Sequence, residues 1–366
     1  VAAEIDEFFM HRAIALAKRG NGRVSPNPLV GCVIVSDGEI VSEGWHAQLG
    51  LDHAENMAIK AASTIPANSV LYVTLEPCSH VGKTPACALE IIESGIKRVV
   101  IGCIDSNPMV SGKGAQMLVD HGVEVRIGVL EHECKWLVRW FLKHVSSGRP
   151  YVIGKIAQST DGCIASADGV SKWISNAASR ERVHALRSEI DAVMVGVNTV
   201  IADNPSLNTR LVSGRNPARI VVDSQLRSPI NSTIISTATE TKTFVICSTS
   251  ASDDIKKQFV SAGVHLIEVQ LTNGDLHLAD ALSALGGLDV TSILCEGGGH
   301  TMSKLLEHKL LDELHIFTSP IIMGRGLGWS DSFSRNPATA IQFNVFNTEQ
   351  IGNDVHTILL PSWTEN

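Results

Sequence analysis

Three side chains able to ligate a metal, His53, Cys78 and Cys87, are scattered along the first quarter of the chain and act together only if the fold brings them to one point. That requirement constrains the architecture more than any other feature. His53-Ala-Glu55 opens the stretch 53–63 (HAENMAIKAAS), which reads as an amphipathic helix. Ser69 to Leu75 reads as a short, β-branched buried strand ended by Glu76-Pro77, so Cys78 sits just past a strand end. Cys87 falls near the start of a further helix, expected over 84–93. Ligands on the ends of layered elements can converge. A structural zinc site usually closes with four protein ligands, whereas a catalytic one keeps a position for water. Three ligands beside a carboxylate, Glu55, therefore point to hydrolytic zinc chemistry. A His/Cys/Cys metal with the Glu of His-x-Glu as proton carrier is the arrangement of zinc deaminases. One spacing departs from it: the two cysteines stand nine positions apart rather than in Cys-x-x-Cys. The alternative, core thiols beside a chance His-x-Glu, does not explain why all three ligands fall on element ends.

The chain has 366 residues, comfortable for two domains, and is 44% hydrophobic and 19% charged, enough for a core in each. No run approaches the ~20 apolar residues of a membrane span. Residues 1–20 lack a basic leader and read as an amphipathic helix ending at Gly20. Eight scattered cysteines make no disulfide framework and suit a reducing cytoplasm. A net charge of −8 argues against a surface that coats nucleic acid.

The first half alternates: helix 4–19, strands 29–35 and 40–44, helix 53–63, strand 69–75, helix 84–93, strand 97–102, helix 113–121, strand 123–127 and one long helix, about 130–145. Such alternation predicts an α/β layered domain. Ser146-Ser-Gly-Arg-Pro150 is a polar break where the boundary is expected, giving domains 1–147 and 148–366. The second half restarts with a strand, 151–157. Strands are expected at 191–195, 218–222, 243–247, 264–269, 292–295 and 313–318, with helices at 179–188, 277–285 and 300–308. This is again α/β. Glu296-Gly-Gly-Gly299 lies between a strand and a helix and is either an anion site built from backbone N–H groups or a turn made for tight packing. It is not the G-x-G-x-x-G fingerprint, because Met302 takes the sixth position, and Gly112-Lys113 is not a phosphate loop.

Longer blocks carry a family resemblance over nearly the whole chain. Ser25-Pro-Asn-Pro-Leu-Val-Gly31, Gly44-Trp-His46, His53-Ala-Glu55, Thr74-Leu-Glu-Pro-Cys-Ser-His80, Gly82-Lys-Thr-Pro-Ala-Cys87, Asp105-Ser-Asn-Pro108 and Gly112-Lys-Gly114 lie in the first half. Ser159-Thr-Asp-Gly162, Ser171-Lys-Trp173, Asn198-Thr199, Ala202-Asp-Asn-Pro205 and Glu296-Gly-Gly-Gly299 lie in the second. Together they resemble the bacterial bifunctional riboflavin-biosynthesis deaminase–reductases, which share the nine-position cysteine spacing. The resemblance implies a cytidine-deaminase-like zinc domain followed by a dihydrofolate-reductase-like α/β domain. It implies deamination of 2,5-diamino-6-ribosylamino-4(3H)-pyrimidinone 5′-phosphate, then NADPH-dependent reduction of the ribosyl group to ribityl. Zn²⁺ and NADPH are the implied cofactors, and a homo-oligomer, dimer or tetramer, is the implied assembly.

Zinc on His53, Cys78 and Cys87 lowers the pKa of a water toward ~7, and Glu55 would carry its proton to the ring and then to departing ammonia. Asn27, in a Pro-Asn-Pro turn, offers both donor and acceptor to substrate, or supports its own turn. His46, His80, Lys83 and Thr84 flank the metal loop, and Lys83 suits a phosphate unless it is a solvated surface cation. Asp105 and Asn107 follow a strand end. By resemblance, Ser171, Arg187, Leu207, Arg210 and Glu296 contact substrate; Arg187 and Arg210 either clamp the same 5′-phosphate bidentately or are arginines of a surface helix and loop. Gln158, Trp173, Thr199, Asp203, Ser224 and the run Gly298, Gly299, His300, Thr301, Met302, Ser303 and Lys304 match nucleotide-binding positions. Gln158 stands where the family usually carries a small residue. Three rival functions fit parts of the chain. A deaminase of a free base, nucleoside or tRNA base would lack a use for the second half, and 5% aromatic content gives RNA little to stack on. A zinc-stapled nucleotide sensor has no use for Glu55. A chain with one inactive half stays open at this level.

Overall fold

The computed structural model describes residues 2–79, 86–105, 111–330 and 334–364. His80, Lys83, Thr84 and Asn107 of the expected site lie outside the described residues. The chain divides into two compact units, Val1–Gly148 and Arg149–Asn366.

In the first unit, α1 (Ala2–Ala17) leads into strands β1 (Gly31–Ser36) and β2 (Glu39–Trp45). They are followed by α2 (Ala54–Ala61), β3 (Val70–Leu75), α3 (Cys87–Glu93), β4 (Arg98–Cys103), α4 (Lys113–Asp120) and β5 (Glu124–Ile127). The strands form a five-stranded sheet in the order β2-β1-β3-β4-β5. β1 pairs antiparallel with both β2 and β3, while β3, β4 and β5 run parallel. Every residue of β1 and nearly all of β3 and β4 are buried, as expected of central strands covered on both faces. The single long helix expected over 130–145 is two: α5 (Glu131–Leu137) and α6 (Arg139–Ser147). Val138 leaves helical geometry (φ −105°, ψ 14°), and this bend packs its side chain into the unit's core.

One buried carboxylate ties α1 to the sheet. Asp6, 1% exposed, accepts from the Tyr72 hydroxyl on β3 (2.9 Å), from Arg98 on β4 (2.9 Å) and from Arg126 on β5 (2.6 Å). A residue of the first helix thus bonds to three strands.

The second unit begins with β6 (Tyr151–Ser159), β7 (Ala165–Ser166), α7 (Ala177–Glu189), β8 (Ala192–Gly196), α8 (Val197–Asp203), β9 (Ala218–Val222) and α9 (Thr233–Ser236). It continues with β10 (Thr243–Ser248), α10 (Asp253–Ser261), β11 (His265–Val269), β12 (Leu271–Thr272), β13 (Asp275–Leu276), α11 (Leu278–Gly286) and β14 (Ser292–Cys295). α12 (Gly299–Glu307), β15 (Glu313–Ser319), β16 (Gly326–Leu327), β17 (Phe343–Ile351) and β18 (Asp354–Pro361) complete it. A nine-stranded sheet has the order β11-β10-β9-β8-β14-β6-β15-β18-β17. It is parallel from β11 to β15 and ends in an antiparallel hairpin, β17–β18. That hairpin is absent from the sequence reading. Its first strand is mostly exposed and rich in Asn, Thr, Glu and Gln, so no apolar run marks it. The helices α7, α11 and α12 agree in type and place with those expected, while α8, α9 and α10 are additional.

Replacing Asp6 by Ala should destabilise the first unit by about 1–3 kcal/mol, because Tyr72 is left with an unpaired buried hydroxyl while the two part-exposed arginines regain water. A urea titration of the full chain reads this as a lower midpoint of the transition that reports the first unit.

Candidate active sites

Parallel neighbours β3 and β4 end on the same edge of the first sheet, and the metal ligands collect there. Cys78 follows β3, Cys87 is the first residue of α3, and His53 is the extended residue that opens α2 (φ −70°, ψ 163°). One ligand atom from each of the three lies within 4.8 Å of the others, and this is the group among the described residues that could hold a metal. His53 Nδ1 is 3.2 Å from Cys87 Sγ and 3.8 Å from Cys78 Sγ, and the Cys87 N–H donates to Cys78 Sγ at 3.3 Å. The hydrogen bond from the Cys87 thiol, with help from His53 and that backbone N–H, holds Cys78 well below the usual thiol range. A thiolate, a second sulfur and an imidazole form a soft, nitrogen–sulfur donor set that fits zinc.

Glu55 is 3% exposed and lies one helical residue beyond the cap. Burial pushes its carboxyl up to about 7, and the Cys78 charge adds to this against the pull of its own backbone N–H, His53 and Cys87. A carboxyl that gains and loses its proton near neutrality is matched to proton transfer. His46 holds its neighbour in place: its Nδ1–H donates to the Asp52 carbonyl at 3.0 Å, leaving Nε2 to accept from Asn27 Nδ2 at 3.2 Å. Both ring nitrogens are engaged, and burial lowers the pKa of the ring. Its part is therefore to orient Asn27.

Glu76, which the sequence shows only as the residue before Pro77, belongs to the site. It is buried, and its two oxygens accept four backbone N–H groups: Gly114 and Ala115 on Oε1 (2.9 and 3.1 Å), Gly112 and Asp105 on Oε2 (3.0 and 3.3 Å). This fixes the start of α4 and the buried Asp105 to the strand end that carries Cys78. Gly114 is required at the joint, since a Cβ there would lie 1.8 Å from the Pro77 carbonyl oxygen.

The second unit places its site on the corresponding edge, beyond the C-terminal ends of β6, β8 and β14. A cavity of about 500 Å³ is lined by Ser171, Trp173, Arg187, Thr199, Asp203, Arg210, Glu296, Gly298, Gly299 and Met302. A smaller cavity of about 150 Å³ adjoins it, sharing Asn198, Thr199 and Gly298, and is lined also by Ser224, His300, Thr301 and Lys304. Between them, Gly297 packs against Val195 and Gly299 against the Trp329 backbone so closely that a Cβ would reach 2.9–3.0 Å, and Gly298 takes φ +76°. The glycine run thus serves tight packing and also opens α12 toward the cavities. Two linked cavities with a helix N-terminus between them fit an extended dinucleotide whose pyrophosphate lies in the middle.

Three expected residues do not line either cavity. Leu207 buries its side chain (4% exposed), Ser303 is fully buried, and Gln158 spends its amide on Trp329 Nε1 (3.1 Å) and Thr318 (3.5 Å). The expected pair of phosphate-clamping arginines also differs. Arg187 directs Nε and Nη2 at both oxygens of Glu296 (2.5 and 2.8 Å) and Nη1 at the Asn208 carbonyl (2.9 Å), because a buried carboxylate needs a partner. Arg210 keeps an exposed guanidinium with one long bond to Asn208 (3.4 Å). Among the cavity's titratable lining residues, Lys155, Arg180 and His184 lie outside the motifs of the sequence. Lys155 was visible as the one charge in the apolar run Tyr151–Ala157. Burial lowers its pKa, as does the charge of Arg187, while Glu296 opposes them.

The residues 150–357 match the family model described as the RibD C-terminal domain, and 3–103 match the cytidine and deoxycytidylate deaminase zinc-binding region. The riboflavin biosynthesis protein RibD of Actinobacillus pleuropneumoniae is 42% identical over 95% of this chain and 93% of the relative. That of Aquifex aeolicus is 39% identical over 96% and 97%. The chain belongs to the RibD family. It is a bifunctional deaminase and reductase of riboflavin biosynthesis, with zinc in the deaminase half and NADPH as the reductant. A crystal structure of the Thermotoga maritima diaminohydroxyphosphoribosylaminopyrimidine deaminase/5-amino-6-(5-phosphoribosylamino)uracil reductase superposes with a TM-score of 0.88 at 38% identity, covering 99% of this chain and all of that one. RibD of Acinetobacter baumannii superposes with a TM-score of 0.87 at 34% identity, covering 98% and 99%.

Burial acts to raise the Glu296 carboxyl, but the Arg187 charge and hydrogen bonds, with Lys155 and His184, outweigh it and hold the group below its ordinary value of 4.5. A depressed folded pKa contributes stability above the unfolded value, and that contribution is lost as pH falls through the folded one. The stability difference between the native chain and Glu296→Gln should therefore hold steady at pH 6 and shrink below about pH 4.5. Thermal unfolding followed across that range checks the sign.

Proposed function

We propose that residues 1–147 deaminate 2,5-diamino-6-ribosylamino-4(3H)-pyrimidinone 5′-phosphate and that residues 148–366 reduce the ribosyl group of the product to ribityl. The observation that carries the first step is the buried Glu55 beside three convergent soft ligands. When bound by His53, Cys78 and Cys87, zinc supplies a Lewis acid that makes water reactive near neutral pH. Glu55 takes one proton from the water to the pyrimidine nitrogen and then moves the second, from the hydroxyl formed at the ring carbon, to the leaving ammonia. Asn27, oriented by His46, hydrogen-bonds the substrate, and Asp105, held by Glu76, meets its polar edge. Lys83, Thr84 and Asn107 complete the contacts to the substrate and its phosphate.

In the second unit NADPH supplies the hydride. Thr199, Ser224 and the start of α12 orient the cofactor across the two cavities, with Trp173 and Asp203 at the mouth of the larger one. Ser171, Arg210 and the Arg187–Glu296 pair hold the ribotide. Opening of the ribose ring needs a proton at its oxygen, and Lys155, a half-buried lysine of the cavity, is suited to provide it. We assign the enzyme to the cytoplasm as a homo-oligomer acting on a small molecule, with no nucleic-acid or membrane partner. All eight cysteines are free, and among the described residues no helix is long and apolar enough to cross a membrane.

Glu55→Ala should retain zinc and lose about 10²–10⁴-fold in ammonia release, while still oxidising NADPH when given the deaminated ribotide. Removal of zinc with a chelator should abolish deamination of the diaminopyrimidine ribotide and spare that reduction. Loss of both activities on either treatment would overturn the division of labour.

A further inference from the structure

His184, on α7, is 4% exposed yet lines the larger of the two linked cavities of the second unit. Its Nδ1 accepts a hydrogen bond from the backbone N–H of Arg210 at 3.1 Å. A backbone N–H only donates, so Nδ1 carries a lone pair and the ring proton sits on Nε2. Among the described residues no protein group bonds to that Nε2, and the atom is not enclosed by protein, so it faces the cavity. A donor that opens into a cavity and that no protein group takes is free to meet an acceptor on the ligand.

The surroundings say which kind. Arg187, Arg210 and Lys155 act on the ring electrostatically against one carboxylate, Glu296. That corner is net positive even after Arg187 and Glu296 pair, as suits a phosphate monoester. Burial, reinforced by the three cations, lowers the pKa of the ring to about 4, so the ring stays neutral while the latch on Arg210 is closed. Protonation at Nδ1 would put an N–H against an N–H and release it.

We propose that His184 is a phosphate-binding residue of the reductase site: Nε2–H donates to a 5′-phosphate oxygen of the ribotide, and Nδ1 sets the backbone from which Arg210 reaches the same group. This deepens, and rests on, the reading of the cavity as the ribotide site. It adds a neutral donor to a phosphate site otherwise built from cations, and it couples the position of Arg210 to α7.

The test is reduction of the deaminated ribotide by NADPH with full-length zinc-loaded protein, beside the same compound lacking its phosphate. His184→Ala should raise KM for the ribotide about 10–100-fold, the worth of a hydrogen bond to a charged group. It should leave KM for the dephosphorylated compound within about threefold of native, a margin well under one such bond. His184→Gln, whose amide offers both an acceptor to the Arg210 N–H and a donor to phosphate, should recover most of the loss. Ammonia release by the first unit and the thermal unfolding midpoint report that each variant is folded. An equal rise for both compounds would make His184 a structural residue only, and no rise in His184→Ala would remove it from the site. Arg210→Ala separates the two levels. If Arg210→Ala raises KM for the ribotide and His184→Ala does not, the His184 inference fails alone. If neither variant discriminates the two compounds, the reading of the cavity as a phosphate-binding site fails with it.

Discussion

Parallel β-strands deliver the chain to the same edge of a sheet, and the helices that return it begin there with backbone N–H groups facing outward. Both candidate sites are consequences of that geometry. In the first unit β3 and β4 end together, and α2, α3 and α4 start beside them. In the second, β6, β8 and β14 end together and α8 and α12 start there. Residues distant in sequence meet without long loops, and open sheets bind their ligands at such an edge for this reason.

The same edge creates an electrostatic problem that each unit solves with a buried carboxylate. Glu76 accepts four backbone N–H groups and Glu296 takes the fork of Arg187. Neither acid needs to touch the reacting atoms to matter. Glu76 binds the Asp105 segment to the strand end of the metal ligand Cys78. Glu296 neutralises Arg187 and leaves Lys155, His184 and Arg210 to face the ligand. Glu55 differs from both: burial outweighs the pull of His53 and of its own backbone N–H, which drives it toward the protonated form and makes it a proton carrier.

Several parts of the sites were legible in the sequence because their chemistry is local. His53-Ala-Glu55 with Pro77-Cys78 and Cys87 names a metal and a proton carrier from residue types alone, and Leu75 to Cys78 marks a strand end. The apolar runs located the buried strands of both sheets, since a strand covered on two faces must be apolar throughout. The strand β17 escaped because it is the edge of the sheet, half polar, and carries no such run, and its partner β18 has only Ile358-Leu-Leu360 apolar together. The bend at Val138 escaped because helical periodicity continues through it. Gln158, Leu207 and Ser303 matched nucleotide- or substrate-binding positions, yet their side chains turn toward Trp329 and the core.

What the sequence determined by itself was the chemistry: soft ligands for zinc, a carboxylate beside them, an α/β plan in each half and a glycine run before a helix. These depend on residue type and on spacing within one element. Only the tertiary structure decided how the charged groups pair. Arg187 and Arg210 look equivalent in the chain, but Glu296, 109 positions from Arg187, claims one fork and leaves the other exposed. His184 is one histidine among fourteen until the Arg210 backbone fixes its tautomer. The physical reason is that burial and hydrogen-bond partners set the state of an ionisable group, and both are supplied by residues far away along the chain.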